Sequence, residues 1–219
     1  VKQSYLDPVN FDRESCPSWV PHTLHKNVRE FGFYPDIGAL RPGDLILVRN
    51  LKGNLSHRVI EAVQKNLGYH ERDYQWHHAA VYLGIEGSIC EADLDGVRYG
   101  SMDRYSTGNH FIRVRRPLGL SDDQRWQIAL KSLIELNKGY SFGHLWELLK
   151  LSRYKIGRIP ATRLKPPESA KICSQLYADA FAKVTLELLS SRDNGEITPA
   201  CLSRSEKLED VPINWVRIG

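Results

Sequence analysis

The stretch ICSQLYADAF, residues 172–181, puts a cysteine, Cys173, at the start of a segment with helical apolar spacing. A thiol is nucleophilic as its thiolate, and the free amides and positive end of a helix N-terminus stabilise that anion. The same helix end offers the Cys173 backbone N–H to a developing oxyanion. A base is also required, and WHHAAVYLG, residues 76–84, supplies His77 and His78 at the head of a β-type run. Neighbouring strand residues point to opposite faces, so one of the two histidines is expected to share a site with the helix. If Ile85 and Glu86 form a hairpin loop, Ala80 faces Glu91 and His78 faces Asp93, and His78, Glu91 and Asp93 lie on one face. A cysteine, a histidine and a carboxylate that holds the imidazole make up a thiol-hydrolase constellation. Register puts Asp93 directly opposite His78 and Glu91 on the diagonal, so parity alone leaves both carboxylates open. The competing reading is structural: free cysteines are among the most buried residues, and Cys173 can be core.

These residues need elements to carry them. The turn in LRPGDLILVRN introduces a strand near Asp44. Val59, Ile60, Val63 and Leu67 recur at helical spacing before Gly68, which predicts a short helix. Residues 76–84 and 87–100 read as two β segments around Gly84–Gly87, and FIRVRRP as a further strand ending at Pro117. In SDDQRWQIALKSLIELNKG, Ser121 and Gln124 form a capping box, Trp126, Leu130, Leu133 and Ile134 mark one face, and Gly139 is the stop. Another helix is expected over 143–151. The cysteine helix should open near Ser169, after Pro166-Pro167, with Ile172, Leu176, Ala180 and Val184 on one face. Thr198-Pro199 reads as the N-cap and first residue of a short closing helix. Residues 1–34, rich in proline and aromatics without a sustained period, read as an irregular arm. The fold class is α+β, a small antiparallel sheet flanked by helices.

Composition narrows the function classes. At 219 residues with 42% hydrophobic content the chain can build one sizeable core. No apolar run approaches the length of a membrane span and no signal-type apolar stretch opens the sequence, so a soluble chain is expected. The cysteines Cys16, Cys90, Cys173 and Cys201 are far apart, without zinc-type spacing, so no metal site or cofactor is expected. The net charge is +4, concentrated in Lys150, Arg153, Lys155, Arg158, Arg163 and Lys165 with no acidic residue between Leu148 and Pro167. Such a run suits a solvated loop or contact with an anionic surface. Nucleic acid is a poor partner, because the run lacks interleaved aromatics beyond Tyr154.

Five short motifs in order, HAAVYLG from His78, ICEADLDGV, KGYSF at 138–142, ICSQLYADAF and ITPACLS, together with RPGDLILV, resemble the permuted papain-like cysteine hydrolases of the NlpC superfamily, in particular the YiiX/YebB-like group. The resemblance spans roughly residues 38–205 and implies a permuted papain-like catalytic domain over 35–219. It assigns the nucleophile to Cys173, the base to His78 and the orienting acid to Glu91 rather than Asp93. Gln175 stands where Glu is frequent and Ser141 where Asp often follows the tyrosine, and both departures bear on substrate contacts. Tyr140, Gln175, Arg158 and Arg163 are the expected substrate-binding residues.

The resemblance implies an amidase or peptidase working through an acyl-enzyme on peptide or isopeptide bonds, cell-wall peptides among them. Related permuted proteins, the lecithin:retinol acyltransferase group and bacterial lysine fatty acyltransferases, move acyl chains from lipids, so a lipid acyl substrate is the alternative. A non-catalytic interaction module is the third reading.

Overall fold

The Pro42-Gly43 turn ahead of LILVRN determines where the central strand begins. Gly43 has a φ of +77°, and a Cβ there would lie 2.7 Å from the Arg125 carbonyl oxygen, so only glycine lets the chain turn this close to the helix behind it. In the computed structural model, residues 8–9, 24–53, 55–93, 95–140, 170–186 and 197–218 are described. In chain order the elements are β1 (Pro8–Val9), α1 (Lys26–Phe31), β2 (Phe33–Pro35), β3 (Leu45–Asn50), α2 (Leu55–Asn66), α3 (Glu71–Tyr74), β4 (His78–Tyr82), β5 (Ser88–Asp93), β6 (Gly96–Ser101), β7 (His110–Pro117), α4 (Asp122–Leu133), β8 (Gly139–Tyr140), β9 (Ala170–Lys171), α5 (Cys173–Thr185), α6 (Pro199–Arg204), β10 (Leu208–Val211) and β11 (Trp215–Arg217). Single 3₁₀ turns occupy Ile37–Ala39 and Met102–Arg104.

Six strands form an antiparallel sheet in the order β10-β7-β3-β4-β5-β6. Alternation along these strands divides the core in two. Leu45, Leu47, Ala79, Val81, Cys90 and Ala92 face Ile128, Ala129, Leu176, Tyr177 and Leu202 of the helices. Ile46, Val48, Ala80, Tyr82, Ile89 and Val114 face Val28, Tyr34, Tyr105 and Trp215. The architecture is thus α+β, with helices on one face of the sheet and the arm and C-terminal strand on the other.

Several sequence expectations change in detail. Residues 24–34, read as irregular, form α1 and β2, and β2 pairs with β11. That partner lies at the far end of the chain, out of reach of any local pattern. The 87–100 segment, read as one strand, is the hairpin β5–β6, reversed between Asp93 and Gly96, whose φ is +106°. The capping box on Ser121 is present, yet the buried face of α4 is Arg125, Ile128, Ala129 and Ser132, while Trp126, Leu130 and Ile134 are exposed. Ala129 and Ser132 on the inner face let α4 lie close to α5, which a stripe of Trp126, Leu130 and Ile134 would prevent. The expected helix over 143–151 lies outside the described residues. Among the described residues no helix is long and apolar enough to cross a membrane.

Candidate active site

Cys173 is the first residue of α5, not a later member of its first turn, because Ala170–Lys171 pairs with Gly139–Tyr140 as a strand and Ile172 is still extended (φ −98°, ψ 157°). Ile172 makes no side-chain cap, so the first amides of α5 receive none of the usual capping oxygen. The helix is anchored by Ser174 Oγ, which donates to the Ile197 carbonyl at 2.7 Å, and by the packing of Leu176, Tyr177 and Ala180 on the sheet. Cys173 itself is buried at 4% exposure and lines a cavity of about 330 Å³ together with His78. The thiol and the His78 ring line this cavity together, near enough that Cys173 helps to raise the imidazole pKa.

His78 is held by Glu91, with Nε2 2.8 Å from Oε2. The ladder pairs Ala80 with Glu91, and the glutamate reaches His78 along the diagonal. Asp93 does not approach the ring: Arg98 lies 2.6 Å and Arg104 2.8 Å from its carboxylate. Glu91 is fully buried, with four partners. Tyr105 donates its hydroxyl to Oε2, while Arg104 Nη1 at 2.8 Å and Arg98 Nη2 at 3.1 Å donate to Oε1. Gly100 leaves room for this cluster, since a Cβ there would be 3.1 Å from Oε1.

Burial would raise the Glu91 pKa, but His78, Tyr105 and Arg104 outweigh it and hold the carboxyl at about 2. Burial would likewise lower that of His78, but hydrogen bonding and charge from Cys173 and Glu91 hold the imidazole at about 10. A buried carboxylate fixed in its charged form therefore stabilises an imidazolium beside the thiol. Tyr105 also lies 5.8 Å from the His78 ring, centroid to centroid. Removing its hydroxyl takes away one charge-assisted bond. Tyr105→Phe is therefore expected to move the acid limb of Cys173 alkylation to higher pH, as Glu91 titrates more easily, and to leave the rate at pH 6 within about twofold, where the carboxyl stays ionised. Rates measured from pH 3 to 10 check it, and an unmoved limb refutes it.

Arg98, Arg104 and Tyr105 were not singled out in the sequence. An Asp95-Gly96 turn signal was available there, and a hairpin broken at that point pairs Glu91 with Arg98. His77, expected to point away from the site, lines the same cavity as His78 and Cys173. It precedes β4, so strand alternation does not govern it. Among the expected substrate contacts, Gln175 donates to Asp179 Oδ1 at 2.5 Å, one turn along α5, and is not among the cavity-lining residues. Tyr140 is described only through its backbone, paired with Lys171. Arg158, Arg163 and the rest of the basic 150–165 stretch lie outside the described residues.

No family model matches this sequence, and no curated protein matches it. Among solved structures, the fold is similar to that of the metalloprotein yiiX from Escherichia coli O157:H7, with a TM-score of 0.54 and 16% identity, covering 80% of this chain and 98% of that one. The two share a permuted papain-like, NlpC-type α+β architecture. As for a metal, among the described residues no group of three His, Cys, Asp or Glu side chains is placed to hold an ion.

Proposed function

We propose that the protein is a cysteine-dependent amide hydrolase acting on peptide or isopeptide bonds, with Cys173 as nucleophile, His78 as acid and base, and Glu91 as the residue that orients and charges His78. The observation that carries this reading is that Cys173 and His78 line one cavity while His78 is hydrogen-bonded to the buried Glu91 carboxylate. The Cys173 sulfur attacks the amide carbonyl carbon and the C=O electron pair moves to oxygen, where the Cys173 N–H at the uncapped helix end can stabilise the oxyanion. Collapse breaks the C–N bond, and the His78 imidazolium gives its proton to the departing amine. Neutral His78 then takes a proton from water, whose oxygen attacks the thioester, and the second collapse returns the thiolate and the imidazolium.

The character of the cavity supports an amide over an acyl chain. Among the described residues, Asn50, His57, His77, Asp93, Arg104 and His110 line it, against Val48, Ile60 and Ala92 on the apolar side. A groove for a lipid chain would be long and apolar. Incubation with peptide amides and, in parallel, phospholipids, followed by mass spectrometry of the intact protein, tests the reading. An acyl adduct on Cys173 from a peptide is the expected result, a fatty-acyl adduct moves the assignment to acyl transfer, and no adduct from either overturns it.

Thiol labelling provides a simpler check. The Cys90 thiol donates to the Ser132 carbonyl at 3.4 Å in the core, and burial first, with Glu91 and Glu135 nearby, raises it to about 11. Cys201 is also buried, within α6. Iodoacetamide at pH 7 is expected to label Cys173 at least about a hundredfold faster than either, because only Cys173 joins a cavity, a helix start and an imidazole. Comparable rates at the three positions would return Cys173 to the core.

A further inference from the structure

Among the described residues lining the cavity, His77 is the buried polar side chain whose hydrogen-bonding groups are left over. Its side chain is 6% exposed and neither ring nitrogen has a hydrogen-bond partner. The Glu61 carboxylate stands 3.7 Å from Nε2, beyond hydrogen-bond reach, and is itself half-exposed. An unpaired buried polar group is destabilising, so a fold retains one where something else completes it. The ring is held firmly. The backbone N–H donates to the Val48 carbonyl at 3.0 Å, and the His57 ring lies flat against one face, 5.0 Å away at 14°. That leaves the polar edge of His77 as its means of contact with a ligand.

Burial first, then His57 and Arg49, lower the His77 pKa to about 4. At neutral pH the ring is uncharged and offers one N–H donor and one bare nitrogen acceptor. A secondary amide has the complementary set, one carbonyl oxygen and one N–H. A carboxylate has acceptors alone, and an alkyl chain has neither.

We propose that His77, backed by the His57 ring, is a subsite that hydrogen-bonds a peptide amide flanking the bond to be cleaved. This rests on the hydrolase reading of Cys173 and extends it: the cavity recognises backbone amides beyond the scissile one, and His77 is a specificity residue rather than a second base. His78 and His77 thus divide the work between chemistry and recognition.

Affinity alkylation tests this with three reagents: chloroacetyl-glycyl-glycinamide, N-hexyl chloroacetamide of similar length, and methyl iodide as a measure of intrinsic thiolate reactivity. In the wild-type chain the peptide reagent should alkylate Cys173 about tenfold faster than the hexyl reagent, the worth of one well-formed hydrogen bond in a desolvated site. His77→Phe should remove that advantage and leave the hexyl and methyl rates within about twofold, while His77→Asn, which keeps a donor and an acceptor, should retain most of it. Circular dichroism confirms that each variant is folded, and His77→Leu replaces the phenylalanine variant if the larger ring disrupts packing. Equal slowing with all three reagents, an undiminished peptide advantage in His77→Phe, or a faster hexyl reaction in the wild type would each overturn the proposal while leaving the reactive thiol intact. If Cys173 reacts with none of the reagents, the hydrolase reading fails and this subsite falls with it.

Discussion

Cys173→Ala is expected to abolish the acyl adduct and lower amide turnover by about 10⁶-fold, to the level of the uncatalysed reaction in the same cavity. The fold should survive, because a thiol at 4% exposure is replaced by a methyl group of nearly the same footprint, at a cost of about 1 kcal/mol or less. Cys173→Ser should be almost as inactive, since a hydroxyl beside His78 holds its proton far more tightly than a thiol. Steady-state rates on a peptide amide, with thermal melts of the three proteins, separate loss of chemistry from loss of structure. Retention of even a tenth of the activity in Cys173→Ala would exclude a covalent route through this residue.

Glu91→Gln is expected to lower kcat by about 10²- to 10⁴-fold, with a much smaller change in KM, because the carboxylate acts on the charge of His78 rather than on bound substrate. It should also cost stability. Arg98 and Arg104 both donate to Glu91, which is fully buried, and breaking such a cluster by removing one partner costs about 3 kcal/mol at the low end. The low end applies because both arginines are partly solvated and retain Asp93. The pH dependence gives the sharper readout. A carboxyl held at about 2 contributes stability that is present above its unfolded value and lost as pH falls towards 2. An imidazole held at about 10 contributes stability that is present below its ordinary value and lost as pH rises towards 10. In Glu91→Gln the acid loss should shrink and the alkaline loss should begin at lower pH, because the imidazolium has lost its anion. Urea melts from pH 3 to 10 check both limbs, and unchanged limbs would mean that Glu91 does not govern His78.

Local rules found what local rules govern. The hairpin register that pairs Ala80 with Glu91, the Ser121 capping box and the Thr198-Pro199 helix start were all legible because each is decided within a few residues. The break between β5 and β6 was also written locally, in Asp95-Gly96, but the apolar run through ICEAD overrode it and concealed the cross-strand pairing of Glu91 with Arg98. The side turned inward by α4 was misread for a different reason. Apolar size favours Trp126 and Leu130, whereas the space beside α5 and Gly43 favours Ile128 and Ala129. Pairing of β2 with β11, and Tyr105 reaching back to Glu91, depend on the whole sheet being assembled. His77 escaped because pleat parity was applied one residue before the strand begins.

The sheet order also has a consequence for how the protein is made. Synthesis delivers β3 to β7 early, so His78, Glu91 and their arginines can be gathered on the nascent chain before Cys173 is translated. The proposed nucleophile Cys173 follows on α5, and the later segments pack at three points: Leu202 enters the helix-side core, β10 pairs with β7, and β11 pairs with β2. A ribosome-bound chain can thus hold the imidazole–carboxylate pair before the thiol proposed to react beside it has been made.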